Sequence, residues 1–244
     1  MTTIGVIPAR WASTRFEGKV LAHIAGKPMI QHVYERVKNC RSLSQILIAC
    51  DHENVYKAAM SFGAVAVMTS PKHVSGTDRI AEAVQRMKAD FVVNIQGDEP
   101  LINPKTIDDL VKALRSDSSC VMATVIKVID QKEDLTNFNV VKVVIDKNHN
   151  AIYFSRSPIP YNRDNKDIRY YKHLGIYAYR YDFLSAFTKL KKSPLEEAEQ
   201  LEQLRVLEAG YKIKTIVTDK ETIAVDTKED LKKVETFLAS HSLK

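Results

Sequence analysis

A chain of 244 residues that is 45% apolar and 27% charged has material for a sizeable core, in one large domain or two small ones. That composition excludes a disordered segment and a small disulfide scaffold. The net charge of +6 admits nucleic acid, an acidic membrane surface or a small anionic substrate, and by itself does not choose among them.

Strand and helix patterns alternate from the start. Ile4-Gly5-Val6-Ile7 is a short apolar run suited to a buried strand, followed by a polar, basic loop from Pro8 to Lys19. Ile30, Val33, Tyr34 and Val37 recur at helical spacing. Ile46–Ala49 is the next strand, with Asp51 placed to start a helix carrying Val55, Ala58, Ala59 and Phe62. Val65–Met68 predicts a third strand, and Ile80, Ala83, Val84 and Met87 the helix after it. Phe91–Ile95 is a fourth strand, with Ile107, Leu110, Val111 and Leu114 marking its helix.

The second half is richer in strands: 120–126, 140–146, 151–154 and 175–179, with a polar loop at 162–167. Ser193-Pro194-Leu195-Glu196 has the form of a capping box with proline in the first turn. One helix is expected to follow, turning Leu195, Ala198, Leu201, Leu204 and Leu207 inward and ending at Gly210. Lys212–Val217 is a last strand, and Thr227 caps a final helix with Leu231, Val234, Phe237 and Leu238 inward. The expectation is a single α/β domain over residues 1–244, with a mainly parallel sheet, flanking helices and a β-rich elaboration.

Cys40, Cys50 and Cys120 are scattered, without the spacing of a disulfide framework or a zinc site. No apolar run approaches the ~20 residues that span a bilayer, so membrane insertion is not expected. Arg10 and Arg15 interrupt the N-terminus against a signal peptide, and a soluble cytoplasmic protein is expected. The basic stretches lack the aromatic interleaving of nucleic-acid platforms, so no nucleic acid partner is expected.

In parallel α/β sheets ligands bind beyond the carboxyl ends of the strands, so those positions carry the functional question. After the first strand, Arg10, Arg15 and Lys19 lie among small residues. They form either a solvated surface or a cradle of cations and backbone N–H groups for a polyphosphate. Neither the P-loop nor the dinucleotide glycine fingerprint is present, which disfavours a nicotinamide oxidoreductase. Ser75-Gly76-Thr77-Asp78-Arg79 is either a plain helix cap or a backbone surface that reads a base. Asp98, in Gln96-Gly97-Asp98-Glu99-Pro100, and Asp226, in Ala224-Val225-Asp226-Thr227, are strand-end carboxylates. Each could cap a turn; together with a cationic loop they suit Mg²⁺ and phosphoryl-type chemistry. A pure nucleotide-binding module need not keep both.

Taken in order, these blocks with Tyr153-Phe154-Ser155-Arg156, His173-Leu174-Gly175-Ile176-Tyr177 and Leu201-Glu202-Gln203-Leu204-Arg205 resemble the 3-deoxy-manno-octulosonate (Kdo) cytidylyltransferases, within the sugar nucleotidyltransferase superfamily. The resemblance implies a Rossmann-like nucleotidyltransferase fold and transfer of CMP from CTP to Kdo, with release of diphosphate, for lipopolysaccharide biosynthesis. It also implies Mg²⁺ dependence and a homodimer. By position, Arg10, Ser13, Arg15 and Lys19 would hold the triphosphate, and Ser75, Gly76, Thr77 and Arg79 would meet the nucleotide. Asp98 and Asp226 would hold the metal, with Lys19 sharing in catalysis. Gln96, Arg156, His173, Tyr177, Glu202 and Gln203 would line the sugar side. The rival substrates are an amino analogue of Kdo and sialic acid. The sequence departs from the pattern at Glu17, where proline is common, at Asp78 for glutamate and at Ala224 for glycine, and its loop at 162–167 is shorter than in many members.

Overall fold

A computed structural model describes residues 1–12, 17–220 and 222–241. In chain order it contains β1 (Thr3–Ala9), β2 (His23–Ile24), β3 (Lys27–Pro28), α1 (Met29–Val37), β4 (Gln45–Cys50), α2 (Glu53–Ser61), β5 (Val65–Met68), α3 (Gly76–Val84), β6 (Phe91–Asn94) and α4 (Pro104–Ser116). There follow β7 (Met122–Val128), α5 (Lys132–Thr136), β8 (Lys142–Ile145), β9 (Ala151–Ser155), β10 (Tyr171–Arg180), α6 (Tyr181–Phe187), α7 (Pro194–Glu199), α8 (Gln203–Glu208), β11 (Ile213–Val217) and α9 (Lys228–His241). Two compact units result. One holds Met1–Asp108 with the C-terminal stretch from Glu221, the other Asp109–Lys220.

In the first unit β6, β1, β4 and β5 run parallel in that order, as the alternation of strand and helix patterns predicts. Ile4, Val6, Leu47, Ile48, Val92 and Val93 are almost wholly buried in this sheet. β5 has no partner beyond β4 in it and leaves Val65 and Met68 exposed. Ser75 caps α3, its hydroxyl accepting from Asp78 N–H at 3.0 Å. α2 differs from expectation. His52 is its cap, through Nδ1 and Asn54 N–H, because Asp51 is engaged elsewhere. The β2–β3 hairpin, too short to show periodicity, packs with the C-terminal helix: Ile24, Met29, Val225 and Val234 form one apolar cluster. Val225 N–H donates to the Asp98 carbonyl at 2.9 Å, pinning the approach to α9 against the end of β6.

In the second unit β11 pairs parallel with β7, while β7–β10, β10–β8 and β8–β9 are antiparallel. This is the expected β-rich elaboration. β10 bulges between Leu174 and Tyr177, where its register on β7 shifts.

The single helix expected from Leu195 to Gly210 is instead two. The Ser193–Glu196 capping box and Pro194 start α7 as predicted, but Gln200 takes φ 53° and stops it. Glu196 is bound by Arg205 through two bonds of 2.7 Å. Nine positions along a straight helix would set these residues roughly 13 Å apart, so the pair requires the break. Leu195 is exposed as a result, as is Ala198, and Glu196 is buried in their place.

Candidate active site

In the first unit a cavity of about 400 Å³ opens at the carboxyl ends of β1 and β6, lined by Pro8, Arg10, Ala12, Lys19, Val20, Gly76, Gln96, Gly97 and Asp98. Lys19 begins a short 3₁₀ turn, and its Nζ reaches Asp98 Oδ2 at 2.8 Å and Asp226 Oδ1 at 3.0 Å. Residues 207 apart in sequence thus meet at one ammonium. Burial acts to lower the Lys19 pKa, but the two carboxylates outweigh it, and the net shift is upward. Lys19 therefore stays cationic at neutral pH. Behind Asp98, burial pushes the Glu99 carboxyl up to about 8, with the Asp98 charge adding to it. Glu99 is then largely neutral at pH 7, and the negative charge of this turn rests on Asp98.

Gly97 makes the turn possible. A Cβ there would stand 2.9 Å from the Pro8 carbonyl oxygen. Gly76 is different, since a Cβ would meet only Pro8 Cγ, at an ordinary 3.8 Å. Arg10 lies exposed at the wall, its Nη2 donating to the carbonyls of His73 and Val74, the latter at 2.6 Å. It thereby ties the loop after β1 to the approach to α3. The Ser75 hydroxyl is held by the α3 cap, and Thr77 is buried. Arg79 is fully buried, donating to Asp51 Oδ2 at 2.9 Å and Thr69 Oγ1 at 2.6 Å. The structure thus gives Arg79 a bracing position beneath the site, not one open to a ligand. Ser13 and Arg15 lie outside the described residues. Gln96 lines the cavity, its side-chain amide 3.4 Å from Asn94 Oδ1.

The remaining expected residues belong to the second unit. Arg156 N–H donates to Glu199 Oε2 at 2.8 Å, its Nε to the Glu199 carbonyl at 2.7 Å and its Nη1 to the Phe138 carbonyl at 3.0 Å. Ser155 Oγ completes this corner by donating to Glu199 Oε1 at 2.6 Å. His173 Nε2 lies 2.9 Å from Thr124 Oγ1, whose hydroxyl donates to the Ile176 carbonyl. Burial pushes the imidazole pKa down to about 3, so the ring is neutral. The β10 bulge brings Tyr177 within 5.3 Å of His173, ring to ring. Burial raises the Tyr177 pKa well above its ordinary value, with Tyr179 and the Glu202 carboxylate adding to the rise. Gln203 is 3% exposed, and its Nε2 has no hydrogen-bond partner among the described residues. A buried orphan donor costs about 1–3 kcal/mol unless something supplies an acceptor.

A cytidylyltransferase family model matches residues 4–216. The chain belongs to the cytidylyltransferase family. Curated relatives include the 3-deoxy-manno-octulosonate cytidylyltransferase of Solibacter usitatus, 52% identical over 95% of this chain and 92% of the relative. That of Geotalea uraniireducens is 50% identical over 96% and 98%. A solved structure of CMP:2-keto-3-deoxy-manno-octonic acid synthetase complexed with CTP superposes with a TM-score of 0.95 at 43% identity, covering 98% of this chain and 99% of the other. Lys19 and Asp98 lie beyond the carboxyl ends of β1 and β6, where ligands bind in this class of sheet; Asp226, expected at a strand end, instead lies in irregular chain just before α9 and still reaches the Lys19 ammonium.

Two acidic residues lie outside the set expected at the site, Asp51 being expected only to start a helix. Asp51 follows β4 as Asp98 follows β6, and the strand-end rule could have found it. It accepts from Trp11 N–H at 2.8 Å and from Arg79. Glu199 carried no such signal, because it lay in the middle of what read as one helix.

Proposed function

We infer that this cytidylyltransferase transfers CMP from CTP to Kdo, releasing diphosphate. The observation that carries the substrate assignment is the 52% identity, across nearly the whole chain, to an enzyme named for that sugar acid. The site supports it with one ammonium bonded to two carboxylates, one of them 207 residues away in sequence. Sialic acid and the amino analogue of Kdo are not favoured, since the relatives above are all named for the octulosonate or its synonym.

In the proposed reaction the anomeric hydroxyl of Kdo attacks the α-phosphorus of CTP and gives up its proton to solvent, the bond from the α-phosphorus to the bridging β-phosphate oxygen breaks, and diphosphate leaves. Lys19 and Arg10 neutralise charge growing on the phosphate oxygens. A cationic Lys19 needs no proton transfer to do so. Ser13 and Arg15 would assist at the triphosphate, and Ser75, Gly76 and Thr77 would meet the nucleotide. The open space at Gly76 leaves room for a ligand to approach the backbone. Gln96, Arg156, His173, Tyr177, Glu202 and Gln203 would bind the sugar acid, with Gln203 Nε2 supplying a donor left unmatched among the described residues.

Asp98 and Asp226 fit Mg²⁺. The ion takes one or two carboxylates and completes its shell with water and phosphate oxygens, and no larger cluster of acidic, histidine and cysteine ligands occurs among the described residues. When bound, it would withdraw charge from the phosphate oxygens. A homodimer and a cytoplasmic location remain part of the proposal through the family resemblance. Among the described residues no helix is long and apolar enough to cross a membrane.

The test is diphosphate release from each nucleoside triphosphate with Mg²⁺ and a panel of 2-keto-3-deoxy sugar acids. CTP with Kdo should be the productive pair, with ATP and GTP poor donors. Efficient turnover of sialic acid with negligible turnover of Kdo would overturn the reading.

A further inference from the structure

Trp11 makes contacts on every side that the cavity description above does not use. Its backbone N–H donates to Asp51, and its carbonyl accepts from Gly18 N–H at 3.0 Å. Its ring stacks on His52 with centroids 4.4 Å apart and planes inclined by 17°. The indole Nε1–H donates to Glu17 Oε1 at 3.0 Å. Gly18 has φ +64°, and a Cβ there would come within 3.2 Å of the indole, so the ring packs closely against this glycine. Gly18 in turn starts the 3₁₀ turn, its carbonyl accepting from Leu21 N–H at 2.8 Å, and Lys19 is the first residue of that turn. A carboxylate in a loop of cations works against anion binding. Its bond to the indole gives Glu17 a use there.

We propose that Trp11 and Glu17 form a latch that positions Lys19 for the nucleotide, acting through the Gly18 turn. The proposal rests on the nucleotidyl-transfer reading above. Neither residue touches Asp98 or Asp226. The latch fixes where the Lys19 backbone starts, and so lets Nζ meet both carboxylates at once. The bond between the two side chains is the working part, so its loss should weaken CTP binding in the same way from whichever side it is removed.

Wild type, Glu17→Ala, Glu17→Gln, Trp11→Phe and the Trp11→Phe/Glu17→Ala double variant are compared by diphosphate release, first with CTP varied at saturating Kdo and then the reverse. Glu17→Ala and Trp11→Phe should each raise the KM for CTP about three- to tenfold, the worth of one solvent-exposed hydrogen bond, and leave the KM for Kdo within about twofold. The double variant should be no worse than the worse single one, since both remove the same bond. Glu17→Gln, which keeps an acceptor for the indole N–H, should recover most of the loss. Trp11 is the only tryptophan, so its emission during titration with CTP and Mg²⁺ in the absence of sugar reports on the turn directly. The midpoint should weaken in Glu17→Ala and recover in Glu17→Gln. Multiplying losses in the double variant, an equal loss on Kdo, or Glu17→Gln no better than Glu17→Ala overturns the latch. A wild type that titrates with CTP but releases no diphosphate overturns the functional reading instead, and an unshifted Glu17→Ala midpoint would then refute the latch separately. No saturable emission change in a wild type that does release diphosphate overturns the latch alone, since the indole then does not respond to the nucleotide.

Discussion

Replacing Gly97 by alanine probes, with one methyl group, how the fold holds Asp98. The new Cβ would stand 2.9 Å from the Pro8 carbonyl oxygen and 3.5 Å from Ile7 Cγ2. Pro8 cannot yield, because it belongs to β1, in register with Ala49 of β4. The turn at 96–98 must therefore open by about 0.5 Å to restore an ordinary contact. Overpacking of this kind costs about 1–3 kcal/mol. In a chain of this size each kcal/mol lowers Tm by about 2–4 °C, so a fall of roughly 2–12 °C is expected. Asp98 moves with the turn and loosens from Lys19, which it now meets at 2.8 Å. A ~1 Å misplacement can cost ~10²-fold in rate, so about half that shift should cost kcat/KM roughly tenfold. Thermal unfolding and CTP-dependent diphosphate release measure the two effects. Gly76→Ala is the control, since its Cβ meets only Pro8 Cγ at 3.8 Å. Its Tm should stay close to wild type, and any loss in its CTP affinity then reports on the ligand. Wild-type Tm and turnover in Gly97→Ala, or a greater destabilisation in Gly76→Ala, would refute the steric argument.

Asp98→Asn and Asp226→Asn should each fold and lose about 10²-fold or more in turnover, measured at saturating CTP, Kdo and Mg²⁺. Arg156→Ala should raise the Kdo requirement about ten- to a hundredfold and leave CTP binding without sugar near wild type, as read by calorimetric titration. Glu196→Gln breaks a doubly bonded pair whose side chains are only 12% and 9% exposed, and should lower stability by about 3–5 kcal/mol in denaturant unfolding. Burial holds His173 near 3, below its ordinary 6.5, so between those values the unfolded chain binds more protons than the native one. Stability from this group is therefore complete above about 6.5 and is lost as pH falls toward 3, with a slope of at most ~1.4 kcal/mol per pH unit. A His173→Gln variant should show a shallower fall of Tm between pH 6.5 and 4.

Much of this protein follows from local pattern. The strands Thr3–Ala9, Gln45–Cys50 and Phe91–Asn94 are apolar runs, and burial on both faces is what such runs are for. Most helices with three- and four-residue spacing formed where the spacing placed them, although Phe237, expected inward on α9, is exposed, and Ser75 and Ser193 cap as their side chains dictate. Lys19 and Asp98 were visible because a parallel sheet puts ligand chemistry at strand ends, a rule that needs only the strand boundaries. Asp226 was expected at a strand end as well, but among the described residues no strand lies between β11 and α9 to carry it there. Local pattern could not say that Lys19 would bridge the two carboxylates, since nothing nearby in sequence couples positions 19, 98 and 226. That contact depends on the apolar cluster that seats α9 and on the Val225–Asp98 backbone bond. Nor could it divide α7 from α8. The leucine spacing there continues unbroken, and the break is decided by a buried Glu196–Arg205 pair that no straight helix can make. Arg79 shows the same limit from the other side. Beside a glycine-containing loop it resembles a ligand contact, and only the packing of Asp51 and Thr69 around its guanidinium makes it a brace. Periodicity records which face of an element is apolar. Which charges meet across the fold is settled by long-range packing, where a buried ion must find its partner wherever the chain has carried it.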